Sequence, residues 1–236
     1  MTTNLFPPAY NDLYVADVDY GDDYFDIHCV RAASKSEAIA EARQLASNSA
    51  EIQSISVEPL TSFQDTIGRS TLEAVCEYAI AHFDTTLLTH ALSVQPAYQG
   101  VRLTIKSLEF NNLEAFGLLL NHTPPRTSES LILLARKVGR SGKKEFVEHL
   151  MLEMIDNSLF DVGNIVVGAA GGGRTEMIDL LAHVCCVEEL HNTLIAHPYL
   201  SFKEEIGCLS EWLNIQQRQR LLREMPDKPQ LKPHKI

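Results

Sequence analysis

A glutamate recurs every 31 residues, at Glu114, Glu145 and Glu176, and its surroundings recur with it. Asn111, Gly142 and Gly173 fall in register upstream of it. Phe116, Val147 and Ile178 follow it by two residues, and Leu119, Leu150 and Leu181 by five. Further upstream, Leu103, Leu134 and Ile165 align, as do Thr104, Ala135 and Val166. One step back places Leu88 under Leu119 and Leu72 under Leu103, and one step forward places Trp212 at the position of Leu181. A period of this length marks a solenoid. One helical hairpin cannot bury its apolar face alone, so neighbours stack into a continuous core and the terminal units diverge. Five units are expected over roughly residues 70–222, the first and last being loose. Gly or Asn belongs at each hairpin turn because those residues best tolerate a positive φ.

The fullest unit is Asn164-Ile-Val-Val-Gly-Ala-Ala-Gly-Gly-Gly-Arg-Thr-Glu-Met-Ile-Asp-Leu-Leu-Ala182. It resembles the ankyrin-repeat family. Ala169 and Ala170 fall on that family's Ala-Ala pair, Gly173 on its turn glycine and Glu176 on its glutamate. Met177 and Ile178 fall on its aliphatic pair, and Leu180 and Leu181 on its Leu-Leu pair. Asn111–Leu120 and Gly142–Met151 match in part. No unit carries the family's Thr-Pro-Leu-His tetrapeptide, and Asn164-Ile-Val-Val167 stands in its place, so the family's β-hairpin fingers are expected to be short or missing. The resemblance covers about two thirds of the chain. It implies an extended surface that binds a protein partner, without catalysis.

Residues 1–62 read differently. Leu13–Val18 and Tyr24–Arg31 are predicted strands joined by a turn at Asp19-Tyr-Gly-Asp22. Ser34-Lys-Ser-Glu37 has the form of a capping box, in which Glu37 reaches back to the cap. Ala38, Ile39, Ala42, Leu45 and Ala46 follow at helical spacing, and Ile52–Val57 alternates as a third strand ended by Pro59. The predicted fold class is α+β: a small N-terminal ββαβ domain or cap over residues 1–62, then an ankyrin-like α-helical solenoid of about five helical hairpins over 68–222. A mobile tail is predicted over 223–236. Ser70 or Thr71 is the expected cap of the first solenoid helix, and Pro96, Pro124-Pro125 and Pro198 fall between units.

The net charge of −11 disfavours direct binding to nucleic acid or to an anionic membrane. No run of about 18 apolar residues occurs, so no spanning helix is expected. The N-terminal residues do not read as a signal peptide. Five cysteines without a regular framework fit a reducing, cytoplasmic setting. Charge is uneven: residues 1–62 hold ten acidic and three basic side chains, whereas Arg218 to the end holds two acidic and six basic.

The strongest surface signal is a basic cluster of Arg136, Lys137, Arg140, Lys143 and Lys144, to which register adds Lys106 beside Lys137 and Arg174 beside Lys143. Stacking sets these cations in rows, which suits an acidic partner. A second candidate is the acidic first hairpin, with Asp19, Asp22 and Asp23 at its centre and Asp17 and Asp26 on its strands. Calcium would need Asp-x-Asp-x-Asp-Gly and a Glu at the twelfth position. Gly21 comes one residue early and position 28 is His28, so the hairpin reads as a solvated acidic surface suited to a basic protein. The stretch Gly168–Thr175 follows an apolar run and precedes a helix, as phosphate-binding loops do. It lacks the Gly-Lys-Ser/Thr ending, and the repeat accounts for its glycines. His183, Cys185, Cys186 and His191 lack zinc-ligand spacing. His28 and Cys29, as strand neighbours, point to opposite faces.

No cofactor, metal site or catalytic set is predicted. The first functional reading is a protein-interaction module with a protein partner of unknown identity. The alternative is an acidic inhibitor or effector that blocks a nucleic-acid-binding protein. An enzyme with its site between two domains would need convergent His, Asp and Arg side chains, and the sequence presents no such set.

Overall fold

The computed structural model describes residues 4–21, 24–46, 51–63, 67–94, 101–196 and 202–224. Among these the chain is mixed α+β, with one three-stranded antiparallel sheet near the N-terminus and eleven α-helices. It divides into two compact units. The first comprises Met1–Leu134 and Glu148–Asp156, the second Ala135–Val147 and Asn157–Ile236.

In the first unit, β1 (Leu13–Gly21) lies between β2 (Tyr24–Arg31) and β3 (Ser54–Pro59). Alternation along β1 sends Ala16 and Val18 to one face, where they meet Val30, Val57 and the fully buried Ala38 and Ala42 of α1 (Lys35–Leu45). Leu13 and Val15 face the other way, with Cys29, into a core shared with α2 (Arg69–Ala81) and α3 (Thr85–Val94). Each leucine fully buried there contributes roughly 2 kcal/mol. The cap of α1 is Ser34, whose Oγ accepts the Glu37 N–H at 3.3 Å. The Glu37 carboxylate reaches one residue past the cap and accepts from the Ala33 N–H at 2.7 Å, a variation on the predicted box. β3 sits two residues later than predicted, because its pairing with β1 runs from Ser54 opposite Asp19 to Pro59 opposite Tyr14. Neither Ser70 nor Thr71 caps α2. Gly68 precedes that helix and offers no side-chain cap.

α2 and α3 form one helix pair, and α4 (Val101–Glu109) and α5 (Leu113–His122) form another that packs on it. α6 (Ser128–Ser141) and α7 (Lys144–Met154) each contribute to both units. The second unit continues with α8 (Gly163–Gly171), α9 (Thr175–Leu181), α10 (Val187–Ala196) and α11 (Lys203–Glu224).

Four short turns share one construction. A left-handed residue follows the first helix by one or two positions: Phe83 (φ 57°), Asn111 (φ 58°), Gly142 (φ 69°) and Gly173 (φ 65°). The next residue immediately precedes the following helix. At three turns its N–H reaches back to a carbonyl five residues earlier: Asp84 to Ala79 at 2.9 Å, Asn112 to Ser107 at 2.8 Å and Arg174 to Ala169 at 2.8 Å. These bonds satisfy carbonyls that a helix end leaves unpaired. Asp84 and Asn112 also cap the next helix, accepting from Leu87 N–H at 2.9 Å and Ala115 N–H at 3.0 Å. From 111 to 142 and from 142 to 173 the step is 31 residues, as predicted. From 83 to 111 it is 28. The turn geometry therefore sets Leu88 against Phe116 and Val75 against Leu103, in place of the predicted pairs Leu88 with Leu119 and Leu72 with Leu103. The last predicted hairpin also differs. The 31-residue step would place its turn at 204, whereas α11 has already begun at Lys203, and residues 197–201 ahead of it lie outside the described residues. Pro96, Pro198 and the tail after Glu224 lie outside the described residues.

In the second unit α8 is buried along most of its length, through Ile165, Val166, Val167, Ala169 and Ala170. Glycines let its backbone touch that of α6. A Cβ on Gly139 would lie 2.0 Å from the Ile165 carbonyl oxygen, and one on Gly168 would lie 2.1 Å from that of Arg136. Trp212 on α11 donates its indole N–H to Asp179 of α9 at 2.7 Å. Among the described residues, no helix is long and apolar enough to cross a membrane.

Candidate functional site

The 31-residue step brings two turns of the second unit into one cleft. It has a volume of about 430 Å³ and is lined by Gly142, Lys144, Gly173, Arg174, Thr175, Glu176, Met177 and Leu180. Met177, buried, and Leu180, half-buried, follow the helical period of α9 and supply its apolar lining. Lys144 opens α7 and Arg174 precedes α9, so both cations enter from helix starts.

Arg174 is held in place. Its Nε donates to the Arg140 carbonyl at 3.3 Å, and its stem lies over Gly142, where a Cβ would come within 2.9 Å of Cδ. Gly142 therefore does two things: it takes the positive φ that the turn needs, and it leaves room for the arginine of the next turn. The cleft can attract carboxylates, with Glu176 as the acid in its lining. A guanidinium fixed through Nε still presents its terminal N–H groups in a fork that fits a carboxylate.

The remaining predicted cations have other surroundings. The Arg136 guanidinium sits 5.0 Å from the centre of the Phe202 ring, and its Nε is buried without a hydrogen-bond partner. Arg140 Nη2 is 3.9 Å from Glu204 Oε2, with both side chains well exposed, a geometry that contributes little. Lys143 Nζ is 5.4 Å from the Phe146 ring centre. Lys137 is exposed on α6. Lys106 belongs to the first unit and pairs with Glu109 at 3.2 Å.

In the acidic hairpin, Asp19 Oδ1 accepts from the Gly21 N–H at 2.8 Å and so stabilises the turn. Asp22 and Asp23 lie outside the described residues. Burial, together with the carboxylate of Glu58, raises the pKa of Asp17 above the usual carboxylate value.

The glycines at 171–173 join helix to helix, which removes the phosphate-loop reading. Among the described residues no group of three His, Cys, Asp or Glu side chains could hold a metal ion. Burial pushes the thiols of Cys29 and Cys76 up to about 12, so neither is a thiolate near neutral pH.

The sequence reading passed over a second, polar groove of about 650 Å³ between α10 and α11, lined by residues that include His191, Asn192, Gln216, Gln217, Arg220 and Arg223. The run of glutamines on α11 was its only sequence signal. His191 Nε2 lies 2.7 Å from Ser210 Oγ of α11. Ser210 donates its hydroxyl proton to the Ile206 carbonyl at 2.8 Å, so the imidazole acts there as donor and the serine is not activated as a nucleophile.

No protein-family model, no curated protein and no solved structure matches this chain.

Proposed function

We propose that this chain is a non-enzymatic protein-interaction module, that its helix pairs stack as ankyrin-like repeats, and that the cleft at Lys144 and Arg174 receives an acidic segment of a protein partner. The observation that carries this reading is the fixed Arg174, seated over Gly142 and bonded to the Arg140 carbonyl, in a cleft that also holds Lys144. Turns repeated at 31-residue steps support the stacking, and stacked hairpins present extended binding surfaces. The step from repeat to protein binding is an analogy between architectures. Five free cysteines suit a cytoplasmic setting.

The test is binding of a short polyglutamate peptide to the wild type and to a variant carrying Lys143→Glu, Lys144→Glu and Arg174→Glu. The reversal is expected to weaken binding by more than about tenfold, on the order of 1.4 kcal/mol, with the melting temperature unchanged. Undiminished binding would remove the cleft from the account.

A second reading has one specific observation in its favour. The first unit holds 20 acidic and 7 basic residues, a net of −13, against 11 acidic and 13 basic in the second, a net of +2. An acidic unit of this kind could act as an inhibitor that occupies the basic channel of a nucleic-acid-binding protein. Competition with DNA for such a protein, lost on neutralising Asp17, Asp19 and Asp26, would favour it over the first reading.

A further inference from the structure

Phe83 occupies the left-handed region at φ 57° and is 60% exposed. The corresponding residues of the other three turns are Asn111, Gly142 and Gly173, types that take this conformation at little cost. A bulky aromatic residue there is strained, and such strain concentrates at functional positions. The neighbouring turn carries a second exposed ring, Phe110, at 44%. The two turns are tied together inside the first unit. Asn112 Nδ2 donates to the Ile80 carbonyl at 2.9 Å, so the residues that follow Phe110 and precede Phe83 share a buried hydrogen bond. Carboxylates flank the rings: Asp84, one of whose oxygens caps α3, follows Phe83, Glu109 precedes Phe110, and the exposed Glu114 lies in the first turn of α5. Lys106 offsets part of this charge through its pairing with Glu109.

We propose that these two turns form a docking point for an arginine-rich segment of a partner protein, with guanidinium groups stacking on Phe83 and Phe110 and pairing with the flanking carboxylates. Charge complementarity argues for a cationic partner, because the unit that carries the rings has a net charge of −13. The rings argue for arginine over lysine, since a planar, weakly hydrated guanidinium stacks on an aromatic face better than a compact ammonium does. This surface is separate from the cleft at Lys144 and Arg174 and takes a ligand of opposite sign, so its test is independent of that reading.

The experiment measures binding of a hexa-arginine and a hexa-lysine peptide to the full chain at low salt. The arginine peptide is expected to bind about fivefold more tightly. Phe83→Asn and Phe110→Ser are each expected to weaken it about twofold and, combined, to erase the preference, while lysine-peptide binding stays nearly the same. Neither substitution changes the charge of the protein, so a loss reports on the ring. Asn suits the left-handed region better than Phe, so Phe83→Asn keeps or gains thermal stability while losing affinity. Phe110→Ser repeats the test where the backbone is not left-handed. Equal affinity for the two peptides in the wild type, or an arginine preference that survives both substitutions, would overturn the proposal.

Discussion

Two side chains illustrate how local chemistry sets stability in this fold. Asn112 is 2% exposed and makes two side-chain hydrogen bonds, one capping α5 through Ala115 and one to the Ile80 carbonyl of the preceding pair. Asn112→Ala leaves an uncapped helix and takes one of two bonds from the Ile80 carbonyl, which still accepts from the Phe83 N–H at 3.4 Å, and is expected to cost about 1–2 kcal/mol by denaturant unfolding. Asp17 acts in the opposite sense. Folding raises its pKa, through burial and then Glu58, so the folded state favours the protonated form and its ionisation costs stability. Asp17→Asn should therefore raise the melting temperature at pH 7. That gain should shrink as pH falls and vanish below the ordinary carboxylate value of 3.8, where both states hold the proton. The Ser34 cap was legible because its chemistry is local. The left-handed turn at 83 was not, because Phe83 carries none of the usual marks of such a turn.

At the scale of elements, glycine plays two distinct parts, and substitution separates them. Gly139 and Gly168 stand where α6 and α8 touch backbone to backbone, so a methyl group at either meets a carbonyl that cannot move aside. Gly173 has open space around its Cβ position and is needed only for its φ of 65°. Gly139→Ala and Gly168→Ala are expected to cost about 3 kcal/mol or more each, and Gly173→Ala only about 1 kcal/mol, measured by chemical denaturation. Equal losses at the three sites would contradict the close approach of α6 and α8. The sequence made the turns at 111, 142 and 173 legible, since Asn and Gly mark them at a constant step. It misplaced the first helix pair by three residues, because apolar periodicity alone cannot distinguish Leu88 against Leu119 from Leu88 against Phe116. For the last turn the constant step points to 204, just inside the start of α11 at Lys203, where Glu204 and Glu205 lie in the first turn and suit the positive end of the helix dipole.

Taken as a whole, the molecule separates its charge: the first unit has a net charge of −13 and the second +2. That division was visible in the sequence as an acidic start and a cluster of cations around the third turn. Lys144 and Arg174 could be drawn together because register related their turns. Met177 and Leu180 could be read only as an apolar helix face, and the lining they give the cleft emerges from the fold. Electrostatic attraction to the cleft should fade with ionic strength, since screening acts over about 10 Å at 0.1 M salt. The most direct measurement is a nitrogen-15 NMR titration of the full chain with polyglutamate peptide at low salt. Amide shifts concentrated at Gly142, Lys144 and Gly173–Leu180, and reversed by added salt, are the predicted result. Shifts absent from those residues, or spread evenly over both units, would contradict the assignment of the cleft as the binding site.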